Sequence, residues 1–143
     1  LSSAASDVYK RQDMVIAQIE EGKMEIGMGQ HGEGGGGLTE MKTADETAAI
    51  MIDALLRDLD IKKGEKLLVI VNGVGATTLM EQLIVFRKCC HYLAEKGIEV
   101  VANIVGEVLT VQEMAGFQLF IARMDDELLK YWNAPCRTPY YKN

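Results

Sequence analysis

Residues 66–72, Lys-Leu-Leu-Val-Ile-Val-Asn, form a nearly continuous apolar run. Such a run suits a strand buried on both faces, as in a parallel sheet. Gly73 to Thr78 then turn the chain into a helix of about 18 residues that ends near Gly97. This helix is apolar on two stripes, one through Leu79, Leu83, Cys90 and Leu93 and another through Val85, Phe86 and Cys89. Two apolar faces imply contact with a second layer or another subunit. Upstream, Thr43-Ala-Asp-Glu46 matches a capping box ahead of Ala48, Ile52, Leu55, Leu56 and Leu59 at helical spacing. Gly64 punctuates the exit from that helix. Residues 98–105, IEVVANIV, read as another strand, and residues 117–123, FQLFIAR, alternate as a further one.

The remaining segments are weaker. In residues 23–30, KMEIGMGQ, Met24, Ile26 and Met28 share one parity, which fits a strand. Gly27 and Gly29 weaken it but let a backbone or ligand approach closely. Residues 31–42 read as a loop and Thr110 to Met114 as a short helix ended by Gly116. Residues 125–132, DDELLKYW, open with acids suited to a helix N-terminus. The tail after Pro135 should be irregular. The alternation predicts an α/β domain with a mixed or mostly parallel sheet flanked by helices, without internal repeats. Residues 1–12, LSSAASDVYKRQ, are polar and aperiodic and resemble translated sequencing-adapter text. They are expected to be a non-native leader, which leaves residues 13–143 as the domain, truncated on its N-terminal side.

The length of 143 residues is enough for one domain with a real core, and 48% hydrophobic with 25% charged content fits a soluble globular chain. A net charge of −6 argues against an electrostatic footprint for nucleic acid or an anionic membrane surface. No apolar run reaches the roughly 18 residues of a membrane span. Cys89, Cys90 and Cys136 are odd in number, and the adjacent pair would point about 100° apart on a helix, a poor geometry for a bond between them. They read as reduced thiols in a cytoplasmic protein, and no Cys-x-x-Cys suggests a zinc or redox site.

The densest chemistry lies in Gly27-Met-Gly-Gln-His-Gly-Glu-Gly-Gly-Gly-Gly37. A histidine at a strand end between glycines is sterically open, and neutral imidazole is a nucleophile near pH 7. The same residues also fit a flexible loop with an incidental histidine, or a cradle of backbone N–H groups. No Lys-Ser/Thr follows the glycines, so a P-loop is not supported, and the placement needed for a dinucleotide turn is missing. Glu33 either orients His31 or is solvated. Asn72-Gly-Val-Gly-Ala-Thr-Thr78 fits an anion site built from N–H groups, or a tight turn with Thr77 or Thr78 as N-cap. His91 reads as a surface or partner-facing residue, and Asp125 and Asp126 as helix-start acids, not a catalytic pair.

Four segments in order carry a resemblance. Glu25-Ile-Gly-Met-Gly-Gln-His31-Gly-Glu33 resembles the glycine–histidine segment of the dihydroxyacetone kinase substrate-binding (DhaK) family. Val71-Asn-Gly-Val-Gly-Ala-Thr77 resembles that family's Val-Asn-Asn-Leu-Gly-Ala-Thr turn. Met114-Ala-Gly-Phe-Gln, and Asp125-Asp-Glu-Leu-Leu129 with Asn133-Ala-Pro135, resemble its closing segments. Gly34 stands where the family carries proline, and Asn72-Gly73 replaces Asn-Asn.

The resemblance implies the second domain of a two-domain DhaK-type subunit. It implies that dihydroxyacetone is phosphorylated to dihydroxyacetone phosphate, with His31 as the catalytic and substrate-binding residue holding the ketose as a hemiaminal. The general acid/base residues would lie in the N-terminal domain. No cofactor or metal is expected on this chain. ATP or ADP with magnesium is expected on a partner domain or a nucleotide-binding subunit of DhaL type. A homodimer is expected from the two-faced helix. The alternatives are a dihydroxyacetone-sensing paralogue acting as a transcriptional co-regulator, a kinase for a related ketose such as erythrulose, and a packing module with an idle histidine.

Overall fold

The computed structural model describes residues 19–27, 37–109 and 114–142. A short antiparallel pair, β1 (Lys23–Glu25) with β2 (Leu38–Glu40), comes first. Helix α1 (Ala44–Asp58) leads into β3 (Lys66–Gly73), and α2 (Leu79–Glu95) connects β3 to β4 (Glu99–Gly106). Strand β5 (Phe117–Arg123) and helix α3 (Asp126–Trp132) follow. The larger sheet has the order β4-β3-β5, with β3 parallel to β4 and antiparallel to β5. The sheet is therefore mixed, as the alternation of elements predicts.

The core lies where α1 and α2 cover one face of this sheet. Ala48 and Ile52 of α1, Val85, Cys89 and Leu93 of α2, and Leu67, Val69 and Val71 of β3 meet there, with Ile98 and Leu119. Each large aliphatic side chain buried this way contributes about 1.5–3 kcal/mol. Both long helices begin with a reciprocal cap. Thr43 accepts from the Glu46 N–H while the Glu46 carboxylate accepts from the Thr43 N–H, and Thr78 and Glu81 repeat the arrangement. Two donors that would otherwise be orphaned at each helix start are thereby satisfied.

Helices α1 and α2 run parallel. Arg87 pairs with Asp45 near the start of α1, and one helical stretch further on Lys96 and Tyr92 both reach Asp53. The first two turns of α2 therefore extend past the start of α1. Of its two apolar stripes, the one through Val85 and Cys89, joined at its end by Leu93, is buried. Leu79 and Leu83, expected to be covered, are 56% and 48% exposed, because no described element lies over them.

Three further expectations change. Strand β1 ends at Glu25, short of the expected span, and β2 lies inside the segment read as a loop. A three-residue strand has no room for periodicity, and its pairing with β1 defines it. The exit of α1 is made not by Gly64 but by Asp60, at φ 52°, whose carbonyl accepts from Arg123 Nη2 at 3.0 Å. Met114, read as the end of a short helix, forms a parallel bridge with Gly75, while residues 110–113 lie outside the described residues. Among the described residues no helix is long and apolar enough to cross a membrane.

Candidate functional site

Two places hold the residues singled out by sequence. The first is the stem of the glycine–histidine segment. Glu25 faces Leu38 and Lys23 faces Glu40 across the β1–β2 ladder, Lys23 and Glu40 form an ion pair, and Met41 N–H donates to the Gly22 carbonyl at 2.7 Å. The two ends of the intervening segment are thus held side by side. Gly27 and Gly37 sit at φ 81° and 91°, a region that side chains with a Cβ enter only with strain. His31 and Glu33 lie outside the described residues. Beside the stem runs a groove of about 300 Å³ lined by Ile26, Gly37, Leu38, Thr39, Lys42 and Ile50. Helix α1 contributes Ile50 to this lining.

The second place is the carboxyl end of β3, where open α/β sheets commonly bind ligands. Asn72 is fully buried there and uses every hydrogen-bonding position it has. Its Nδ2 donates to the Leu109 carbonyl at 3.0 Å and to Gln118 Oε1 at 2.9 Å. Its Oδ1 accepts from Val108 N–H at 2.6 Å and Leu109 N–H at 2.7 Å. Thr77 Oγ1 donates to the Gly116 carbonyl at 2.6 Å and accepts from Gly116 N–H at 2.9 Å. Gln82, in the first turns of α2, donates from Nε2 to the Thr77 carbonyl at 2.9 Å and to Glu107 Oε1 at 3.1 Å. These three side chains tie together the chain leaving β3, the chain leaving β4 and the chain entering β5.

The geometry separates the two readings of residues 72–78. Thr78 is the N-cap, whereas Thr77 is spent on Gly116. The Thr78 N–H donates to Glu81 Oε2 at 2.8 Å, and the Ala76 N–H to the Met114 carbonyl at 3.1 Å. The turn is therefore occupied by its own contacts, as the capping reading expects, and those N–H groups are not offered to an anion.

The remaining candidates are structural. Asp125 Oδ1 accepts from Leu128 N–H at 2.7 Å as the cap of α3, and Asp126 pairs with Lys66 at 3.0 Å. His91 is exposed on α2. Cys89 is buried and burial pushes its thiol up to about 12, while Cys136 is exposed. Among the described residues no three His, Cys, Asp or Glu side chains converge as a metal site. Sequence reasoning missed Gln82, Glu107 and Gln118. The one available signal was a glutamine three residues before Val85, on the stripe that turns inward.

The model of the Dak1 domain family matches residues 3–140. The chain is similar to the dihydroxyacetone-binding subunit DhaK of a PTS-dependent dihydroxyacetone kinase from Listeria innocua, with 36% identity over 127 residues. That match covers 89% of this chain and 38% of the relative. It is also 37% identical over 130 residues to a D-erythrulose kinase of Mycolicibacterium smegmatis, covering 91% of this chain and 22% of that enzyme. Among solved structures, the dihydroxyacetone kinase operon co-activator DhaQ superposes with a TM-score of 0.78 at 25% identity, covering 87% of this chain and 39% of its own. The dihydroxyacetone kinase from C. freundii, solved with AMP-PNP and Mg2+, gives 0.61 at 26% identity over 84% of this chain and 22% of its own. The chain thus spans well under half the length of these relatives.

Proposed function

This chain belongs to the Dak1 domain family, and from that membership we propose that it is the histidine-bearing part of a DhaK-type ketose-binding subunit. The observation that carries this reading is Glu25-Ile-Gly-Met-Gly-Gln-His31-Gly-Glu33, set between two paired strands with left-handed glycines at positions 27 and 37. The lone pair of a neutral His31 ring nitrogen attacks the ketose carbonyl carbon. A C–N bond forms, the carbonyl π electrons move to oxygen, and that oxygen takes up a proton. The other ring nitrogen releases one, so the hemiaminal is a neutral and reversible adduct.

This chemistry selects its substrate. Glycerol has hydroxyls but no electrophilic carbonyl carbon, so it cannot be held this way, whereas a pocket that distinguished the two by shape alone would discriminate far less. Holding the ketose also fixes its terminal hydroxyl for phosphoryl transfer, an orientation effect. The phosphoryl donor, ATP or a phosphorelay protein, belongs in this reading to a nucleotide-binding partner of DhaL type. That partner would carry ATP or ADP with magnesium, and no step here passes through a metal held by this chain. The subunit is read as a cytoplasmic homodimer, with the exposed Leu79 and Leu83 on α2 motivating the dimer.

Two relatives support variants of this reading. The erythrulose kinase match supports a four-carbon ketose as substrate. The likeness to the co-activator DhaQ supports a sensor that binds the ketose through the same histidine and signals to a transcription regulator. Native mass spectrometry of the full-length parent with dihydroxyacetone or erythrulose tests the shared step. An adduct that disappears in His31→Ala is expected, and a wild type without any adduct would sink it. Phosphorylation on addition of the nucleotide-binding subunit then separates kinase from sensor.

A further inference from the structure

Among the described residues, the polar cluster at the carboxyl end of β3 leaves one buried side-chain polar atom without a partner. The Asn72 amide uses all its donors and acceptors, and the Thr77 hydroxyl both donates and accepts. Gln82 is 1% exposed and spends both amide hydrogens, on the Thr77 carbonyl and on Glu107 Oε1, while its Oε1 has no donor among the described residues. Turning the amide over would set Oε1 against those two acceptors, so chemistry fixes its orientation. A buried amide oxygen without a donor forfeits its hydration with nothing in return, which makes an orphan in an otherwise satisfied cluster informative.

We propose that Gln82 Oε1 is the receiving end of a site for one small neutral hydroxyl donor, either a water molecule or the hydroxyl of a polyol. The surroundings select that class. The nearby groups are acceptors, namely the Thr77 carbonyl and the Glu107 carboxylate, and the N–H groups of Ala76, Thr78 and Glu81 are already engaged. An anion would meet the like charge of Glu107 and, among the described residues named, N–H groups that are already engaged. A bare cation needs several oxygens converging on it. Here the Gln82 nitrogen holds the position between Thr77 and Glu107 instead. Gly73 keeps the arrangement possible, since a Cβ there would lie 2.0 Å from Glu107 Oε1 and 2.1 Å from Gln82 Nε2.

High-resolution crystal structures of the chain, grown without polyol, with glycerol and with inorganic phosphate, test the site. An oxygen at about 2.8 Å from Gln82 Oε1 is expected. Its presence in polyol-free crystals identifies water, and its appearance only with glycerol identifies a ligand hydroxyl. Solution NOEs from a long-lived water to the Gln82 side-chain amide protons check the water arm without a lattice. Phosphate in the site, a protein N–H or O–H already donating to Gln82 Oε1, or no density in either of the first two crystals would overturn the proposal.

Discussion

Asn72 Nδ2 and Gln118 Oε1 lie 2.9 Å apart, joining the ends of β3 and β5 through side chains where the backbone ladder finishes. The same asparagine receives the N–H groups of Val108 and Leu109 beyond β4. One buried residue thus fastens both neighbours of the central strand. Replacing Asn72 by Ala leaves those N–H groups without their acceptor, and urea denaturation should register a loss of about 3 kcal/mol. A loss under about 0.5 kcal/mol, the level of an ordinary surface change, would contradict this role.

Gly73 is required by its neighbours rather than by its backbone. Gly73→Ala forces the Gln82 amide and the Glu107 carboxylate apart, and a loss of about 1–3 kcal/mol is expected. The same substitution in a Gln82→Ala background should cost measurably less. Strict additivity in that double-mutant cycle would show that the two side chains are not what excludes the methyl group.

The cysteines should differ sharply in reactivity. Cys136 is exposed and should label with a thiol reagent in the native protein, whereas Cys89 should label only on unfolding. Burial, with a smaller contribution from Cys90, raises the Cys89 thiol from 9.0 to about 12. A raised thiol favours the folded state while both states are protonated. Its contribution is therefore complete below about pH 9 and is lost as pH climbs toward 12. Denaturation midpoints measured across that window, in wild type and Cys89→Ala, should converge as the contribution fades.

Acid should act partly through Asp53. Burial works to raise this carboxyl, but hydrogen bonds from Lys96 and Tyr92 and the charges of Lys96 and Arg57 outweigh it, and the net shift is downward from 3.8. Its contribution is present above the ordinary carboxylate value and disappears as pH falls through the lowered one. Asp53→Asn should therefore flatten the acid limb of a stability–pH curve, and it should also weaken the alkaline limb, because the bond to Asp53 is what chiefly raises Lys96. An unchanged acid limb would mean that the link between α1 and α2 does not rest on this charge.

For the proposed chemistry, His31→Ala in the full-length parent should lower kcat/KM for the ketose by on the order of 10²-fold or more, because the orienting covalent bond is lost. Discrimination against glycerol should weaken in parallel. His91→Ala, on the exposed face of α2, should leave both unchanged. Equal activity of the His31 variant and wild type in a coupled assay would remove the histidine from the mechanism.

Much of the fold was legible because its signals are local. The Thr43–Glu46 capping box, the Ala48 and Ile52 stripe and the apolar run of β3 each declare themselves within a few residues, and all three stand in the structure. Leu79 and Leu83 misled because apolar spacing marks a face without saying whether anything covers it. Strand β2 was hidden because three residues become a strand only through their partner. Of the two candidate places, the histidine segment was visible in the text of the chain, while the polar cluster at the carboxyl end of β3 was not.

By itself, then, the sequence determined the longer helices and strands, where the helices start, and that a histidine stands among glycines along the chain. Tertiary structure alone decided that β5 joins antiparallel, that the Val85 and Cys89 face of α2 turns inward, and that Asn72, Gln82 and Glu107 form one polar cluster. The division is physical. Capping and periodicity are set by neighbours a few residues apart, whereas burying a polar group requires partners such as Gln82 and Glu107, 25 positions apart, to arrive together.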